Sequence, residues 1–319
     1  MSEFDLIRQH FTRTTKHTDL GIGDDAALIS CHTSMQLAIS SDMLVAGTHF
    51  FEDANPYSIG WKSLAVNVSD MAAMGADPKW ATLAIALPNN DPVWLQQFSA
   101  GFFACAQAFD VDLIGGDTTR GPLTISVQII GEVPNGKALK RNGAQLDDDI
   151  WVSGRLGDAA LALAHLQGKC TLPEALLAVC KQALDTPEPR VALGLALRSI
   201  AHSAIDISDG LLGDLGHILE ASKLGACLKL TEIPYSKNVI FDRGLRDPQL
   251  LKMILAGGDD YELCFSAAPT KRAEILKLST HLNLPLTMIG QMISGTGVRL
   301  LGLDGEVLEL KETGFDHFS

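Results

Sequence analysis

Residues 57–74 constrain the fold more than any other stretch. Trp61, Leu64, Ala65, Val68 and Ala72 recur at helical spacing, and Ser63, Asn67 and Asp70 repeat at the same spacing along another face. The apolar period predicts a helix packed into a core. Its polar stripe, set among apolar sides, ends in an acid. Before it, QLAI at 36–39 predicts a short strand running into Ser40-Ser41-Asp42. After it, strands are expected at 81–87, 111–114 and 124–130, with a helix over 92–109 between the first two. Residues 131–149 are polar and turn-rich without a strong period, which places a domain boundary there. Beyond it, strands at 150–153 and 203–207 alternate with helices near 158–167, 172–183 and 190–201. Hairpin signals such as Asp304-Gly305 follow. The expected fold class is α/β (α+β): two mixed α/β domains, 1–136 and 137–319.

Composition narrows the class of protein. The 319 residues are 46% hydrophobic and 20% charged, as in globular rather than disordered chains. Six scattered cysteines form no C-x-x-C pair, so neither a zinc site nor a redox motif is signalled. Most lie in apolar runs, where a free thiol acts as a small hydrophobe, and a reducing cytoplasm fits best. The N-terminus lacks the basic and apolar regions of a signal peptide. Apolar runs break well short of the roughly 20 residues that span a bilayer, so no membrane is expected. A net charge of −13 without a basic run argues against nucleic acid as a partner.

The acids are concentrated in a few segments. Asp24-Asp25 lies in GIGDDAALI, Asp42 in SSDMLVAGTH, Asp70 in VNVSDMAAMGADP, Asp117 in LIGGDTTRG, Asp206 and Asp209 in AIDISDG, and Asp259-Asp260 in GGDDYEL. Taken singly, each reads as a turn or a helix cap. Together, at the ends of apolar elements and beside glycines, they point to one shared site. Carboxylates converging on a site repel, by about 4 kcal/mol for a pair at 4 Å and an effective dielectric near 20. Cations must then sit among them. Hard oxygen ligands without His or Cys favour Mg²⁺ or Ca²⁺, and the Ca²⁺ hand-loop pattern is missing. Mg²⁺ binds one or two carboxylates plus substrate phosphates, so dispersed aspartates suggest several Mg²⁺ on a polyphosphate, with ATP the expected ligand. Neither a G-x-x-x-x-G-K-[ST] loop nor the protein-kinase motif set is present. Gly115–Gly121, with small residues and Arg120, is the best candidate for a phosphate loop.

Read in order, GIGDDAALI, DMLVAGTHF, LAVNVSDMAAMGADP, LIGGDTTRGPL, IDISDGLLGDLGHI, GGDDYELCF and GFDHF closely resemble the thiamine-monophosphate kinases, within the aminoimidazole ribonucleotide synthetase-like superfamily. The resemblance runs over nearly the whole chain. It implies an N-terminal domain that binds ATP and Mg²⁺ and dimerises by pairing of its sheets, and a C-terminal domain that completes the active site. By matching motif positions it implies Mg²⁺ ligands at Asp25, Ser40, Ser41, Asp42, Asp70, Asp117, Asp206 and Asp209, with Asp42, Asp70 and Asp117 closest to catalysis. It places Gly116, Asp117, Arg141 and Ser208 on ATP, and His49, Asp259 and Phe315 in the thiamine-phosphate pocket. Alone, His49 and Phe315 would read as packing residues. The chain departs from the family pattern at Asp259, where Glu is usual, at Phe315, where Tyr or Trp is usual, and at Ser41, where Thr is common. Gln145-Leu146-Asp147-Asp148 replaces the usual Pro-Gly before the second domain.

The implied activity is ATP-dependent phosphorylation of thiamine monophosphate to thiamine diphosphate, by direct in-line transfer in a cytoplasmic homodimer. The competing readings are another ATP-dependent small-molecule kinase or synthetase of the superfamily, a Mg²⁺-dependent phosphohydrolase, and a nucleotide-binding regulatory module. Nothing resembling the reactive N-terminal segment of a selenophosphate synthetase precedes Gly21. The chain ends Asp316-His317-Phe318-Ser319 rather than in the cysteine of the hydrogenase-maturation proteins.

Overall fold

A computed structural model describes residues 3–236 and 244–308. The chain divides into two compact units, one of Met1–Met71 and Ala76–Ala138, the other of Ala72–Gly75 and Leu139–Ser319.

In the first unit, α1 (Glu3–Leu6) continues as a π-helical turn to Phe11, followed by β1 (Met35–Val45), α2 (Pro56–Ala73), β2 (Asp77–Leu87), α3 (Pro92–Ala108), β3 (Asp112–Arg120) and β4 (Thr124–Pro134). The last two residues of α2, Ala72 and Ala73, belong to the second unit. Helix α3 starts where its chemistry dictates: Asp91 accepts from the Val93 and Trp94 N–H groups, and Pro92 holds the first helical position. The four strands run in the order β1-β4-β2-β3, with β1 and β3 at the two edges. β1/β4 and β4/β2 are antiparallel and β2/β3 parallel. One sheet face buries Leu83, Ile85, Ile125, Val127 and Ile129, and the helices bury Leu64, Val68, Leu95, Phe98 and Phe102. On the other face β1 exposes Leu37, Ile39 and Met43 at 41, 59 and 57%.

The second unit is built on a seven-stranded sheet, β11-β10-β7-β9-β5-β8-β6. Its elements are β5 (Asp149–Ser153), α4 (Asp158–Leu166), α5 (Glu174–Asp185), α6 (Val191–Leu197), β6 (Ser203–Asp206), α7 (Leu211–Ser222), β7 (Gly225–Lys229), α8 (Pro248–Ala256), β8 (Leu263–Ala267), α9 (Arg272–Leu282), β9 (Leu286–Ile293), β10 (Gly297–Leu301) and β11 (Val307–Leu308). Strand β5 is buried on both sides. Ile150 and Val152 join a core with Leu161, Leu215 and Ile254, and Trp151 joins another with Leu193, Leu197 and Phe265. That two-sided burial explains why β5 reads as an unbroken apolar run rather than an alternating one. A buried ion pair ties α6 to β8: Arg190 grips Glu262 with two hydrogen bonds, of 2.8 and 2.6 Å. Among the described residues no helix is long and apolar enough to cross a membrane.

Candidate active site

In the first unit the polar stripe of α2 faces β1. Ser40 donates a 2.5 Å hydrogen bond to the Asp70 carboxylate, a length typical of a charged acceptor. The Asn67 side-chain oxygen accepts from the Asp42 N–H at 3.1 Å, and the Asn67 amide is fixed in turn by the Ser63 carbonyl. Asn67 is fully buried, so it sets the height of β1 over the helix and with it the position of Asp42. Asn67 belongs to the polar stripe but is not among the site residues that the sequence suggests. Two side chains that follow each other along β1, Ser40 and Ser41, point to opposite sheet faces. Ser40 and Asp42 therefore share the helix-covered face, and Ser41 is exposed on the open one.

His49 closes the turn after β1. Its ring Nδ1 accepts from the Val45 N–H at 3.0 Å, and its own N–H donates to the Val45 carbonyl. The Nδ1 bond assigns the neutral ring its proton at Nε2. Asp25 lies exposed in the loop between the bridged residues Leu20 and Leu28, its N–H bound to Asp24.

Gly115–Gly121 differs from the phosphate loop expected of it. Residues up to Arg120 form strand β3, paired with β2 from Thr82↔Gly115 to Leu87↔Arg120. An irregularity between Ala81 and Thr82 shifts the register just before the glycines. At Gly116, φ is +151°, and a Cβ there would overlap the Leu83 carbonyl oxygen. The glycine is thus demanded by strand packing, and a local turn signal concealed a strand whose pairing partner lies some thirty residues earlier. Asp117 is exposed and lies on one ladder with Ala84, Ser126 and Met43. Three strand spacings, about 14 Å, separate the two ends of that ladder. The fold thus brings Ser40, Asp42 and Asp70 together and puts Asp117 at the opposite edge.

In the second unit, Asp206 ends β6 and is buried, and the loop after it carries Ser208 and Asp209. One oxygen of Asp214 accepts from three successive N–H groups of that loop, Ser208, Asp209 and Gly210, at 3.0, 3.0 and 3.1 Å. Burial pushes the Asp214 carboxyl up to about 7, against the pull of those three donors. Asp259 sits on the neighbouring loop at φ +70°, its N–H bound to the Ser208 carbonyl and its carboxylate to the Tyr261 hydroxyl at 3.0 Å. Burial also holds the adjacent Asp260 carboxyl well above the usual range, with the charges of Glu262, Asp158 and Asp259 adding to the effect. The exposed Arg141 lies in a 3₁₀ turn whose carbonyl accepts from Ser222 on α7. Phe315 lies outside the described residues.

Asp214, Tyr261 and Glu262 were not singled out from sequence. Asp214 had a usable signal, since an acid in the first turn of a helix can reach back to free N–H groups. Glu262 had none, because its partner Arg190 is 72 residues away. Among the described residues no group of three or more His, Cys, Asp and Glu side chains could hold a metal ion. The donor chemistry nonetheless fits Mg²⁺, which takes one or two carboxylates and completes its shell with phosphate and water oxygens.

Comparison with known proteins finds matches for both units. Residues 23–133 match the family model of AIR synthase related protein, N-terminal domain, and residues 147–302 that of the C-terminal domain. The thiamine-monophosphate kinase of Escherichia coli K12 is 46% identical over 322 residues, covering 99% of this chain and 98% of that one. The chain belongs to the thiamine-monophosphate kinase family of enzymes. The solved thiamine-monophosphate kinase of Stenotrophomonas maltophilia K279a is 46% identical, with a TM-score of 0.85 over 95% of this chain and 96% of its own. A second family structure, AaThiL complexed with AMPPCP and TMP, is 28% identical, with a TM-score of 0.78 over 99% and 96% of the two chains. The family's α/β architecture is therefore that of both units here.

Proposed function

We propose that this protein transfers the γ-phosphoryl group of ATP to thiamine monophosphate, giving ADP and thiamine diphosphate. The observation that carries the reading is the end-to-end match to the E. coli kinase. A relative with the same fold, solved with AMPPCP and TMP, supports the choice of ligands.

Asp25, Ser40, Ser41, Asp42, Asp70, Asp117, Asp206 and Asp209 would hold Mg²⁺. When bound, the metal offsets the repulsion between two polyanions and stabilises charge on the transferring group. Gly116, Asp117, Arg141 and Ser208 contact ATP. His49, Asp259 and Phe315 line the pocket that receives the acceptor. The acceptor phosphate has a second pKa near 6 and is mostly ionised at neutral pH. It attacks without a general base, and no phosphoenzyme forms. What remains for the protein is alignment, which the Ser40–Asp70 and Asn67–Asp42 hydrogen bonds supply for part of the ligand set.

The reading includes a cytoplasmic homodimer formed through the N-terminal sheets. The exposed Leu37, Ile39 and Met43 on the open sheet face support that surface. So does the strand order. On this reading Asp42 and Asp117 serve one nucleotide with Asp117 supplied by a second copy, whose β3 edge lies beside this β1.

The test is a discontinuous assay of purified protein with Mg-ATP, with and without thiamine monophosphate, separating thiamine diphosphate, ADP and phosphate. Thiamine diphosphate equal to ADP, formed only with acceptor, is the expected result. ADP and phosphate without acceptor would establish a hydrolase and overturn the proposal.

A further inference from the structure

We infer that Asp214 is a positioning residue that shapes the Asp206–Gly210 loop for its ligands, and that main-chain bonds carry this shape on to Asp259. The inference deepens the proposed reading and rests on it for the identity of the ligands.

The geometry separates this role from ordinary helix capping. A helix leaves its own first N–H groups without partners, and a capping side chain satisfies those. Asp214 is the fourth residue of α7, and none of its three donors belongs to the helix body. Ser208, Asp209 and Gly210 all precede Leu211, where the helix begins. The carboxylate reaches backward and wraps the loop around one oxygen. It does so from a site only 3% exposed, where a carboxylate without such donors would be strongly disfavoured. An apolar residue would serve the core of α7 as well as Asp214 does; only the loop needs the oxygen.

The shape then passes to the second loop. The Ser208 carbonyl accepts from Asp259 N–H, and the Ile207 carbonyl from Tyr261 N–H, each at 2.8 Å. A Cβ on Gly258 would collide with that same Ser208 carbonyl, so the two backbones already touch. Asp259 is therefore placed by the loop that Asp214 holds. A change at position 214 should weaken both nucleotide and acceptor, although the side chain is proposed to touch neither.

The test compares wild type with Asp214→Ala and Asp214→Asn. Binding of the Mg²⁺ salt of a non-hydrolysable ATP analogue is measured by titration calorimetry, together with the melting curve and the KM for thiamine monophosphate. We expect Asp214→Ala to weaken analogue binding at least tenfold and to raise the acceptor KM several-fold while its melt stays cooperative. Asp214→Asn keeps one acceptor oxygen and should fall between the two, at two- to fivefold. Wild-type affinity in a cooperatively melting Asp214→Ala overturns the inference. If the alanine variant does not fold, wild-type affinity in Asp214→Asn overturns it instead. Wild-type protein that binds the analogue but gives no acceptor-dependent turnover would sink the proposed activity, and the variants' analogue affinities would still decide the role of Asp214.

Discussion

Gly116 lies so close to Leu83 that a methyl group on it would overlap the Leu83 carbonyl oxygen of the neighbouring strand. The backbone there is also at φ +151°. Overpacking and a disfavoured dihedral each cost about 1–3 kcal/mol. Gly116→Ala should therefore lose about 3 kcal/mol in urea denaturation. Gly115→Ala is the control, because a Cβ at 115 meets only Thr82 Cγ2, at 4.0 Å. It should stay within about 1 kcal/mol of wild type. Equal stability of the two variants would show that the strand does not require a glycine at 116.

Placing Asp42 and Asp117 on opposite sheet edges gives a test of shared sites. Asp42→Asn and Asp117→Asn should each lower kcat at least 100-fold, about 2.7 kcal/mol, with little change in melting temperature. Mixed and refolded together, the two inactive proteins should regain activity. Half of the sites in each mixed dimer would then carry both acids. Sites contained within single subunits would give no recovery at any mixing ratio.

Glu262 and Arg190 form a two-pronged ion pair with side chains 6 and 18% exposed. Removing one partner leaves the other charge buried, at a cost of about 3–5 kcal/mol. Glu262→Gln should approach the lower end of that range, and the double variant Arg190→Leu with Glu262→Leu should lose less than the sum of its two single losses. A double-mutant cycle by chemical denaturation measures the coupling, and additive losses would mean the pair is not coupled.

The six free thiols should separate by burial. Cys105, Cys180 and Cys264 are buried and Cys31 is exposed. Burial pushes the Cys180 thiol up to about 12 and raises Cys105 and Cys264 further. The thiolate is the reactive form, so these three should resist alkylation at pH 8 until the protein unfolds. Cys31 should label first, although slowly, because partial desolvation and the nearby Glu132 raise its pKa as well. Peptide mass spectrometry after timed iodoacetamide treatment would read the order. Early labelling of Cys264 would contradict the buried position of β8.

Much of the fold was legible in the residues because it is set by near neighbours. The helix expected over 57–74 spans Pro56–Ala73, and the one expected over 92–109 spans Pro92–Ala108. The strand expected at 36–39 instead runs to Val45, carrying Ser40, Ser41 and Asp42 inside it. Serines and an aspartate read locally as a strand end, whereas pairing with β4 over eleven residues overrides that preference.

By itself the sequence determined the helices and strands with a clear period, the acid-bearing motifs and the family they belong to. These depend on residues a few positions apart or on motif order along the chain. Only the tertiary structure decided that Ser40 and Ser41 face opposite ways, that Asp42 and Asp117 occupy opposite edges, and that Asp214 accepts from the 208–210 backbone. Strand order and long-range hydrogen bonds join residues with no local relation, and no periodicity in the chain records which partner each will meet.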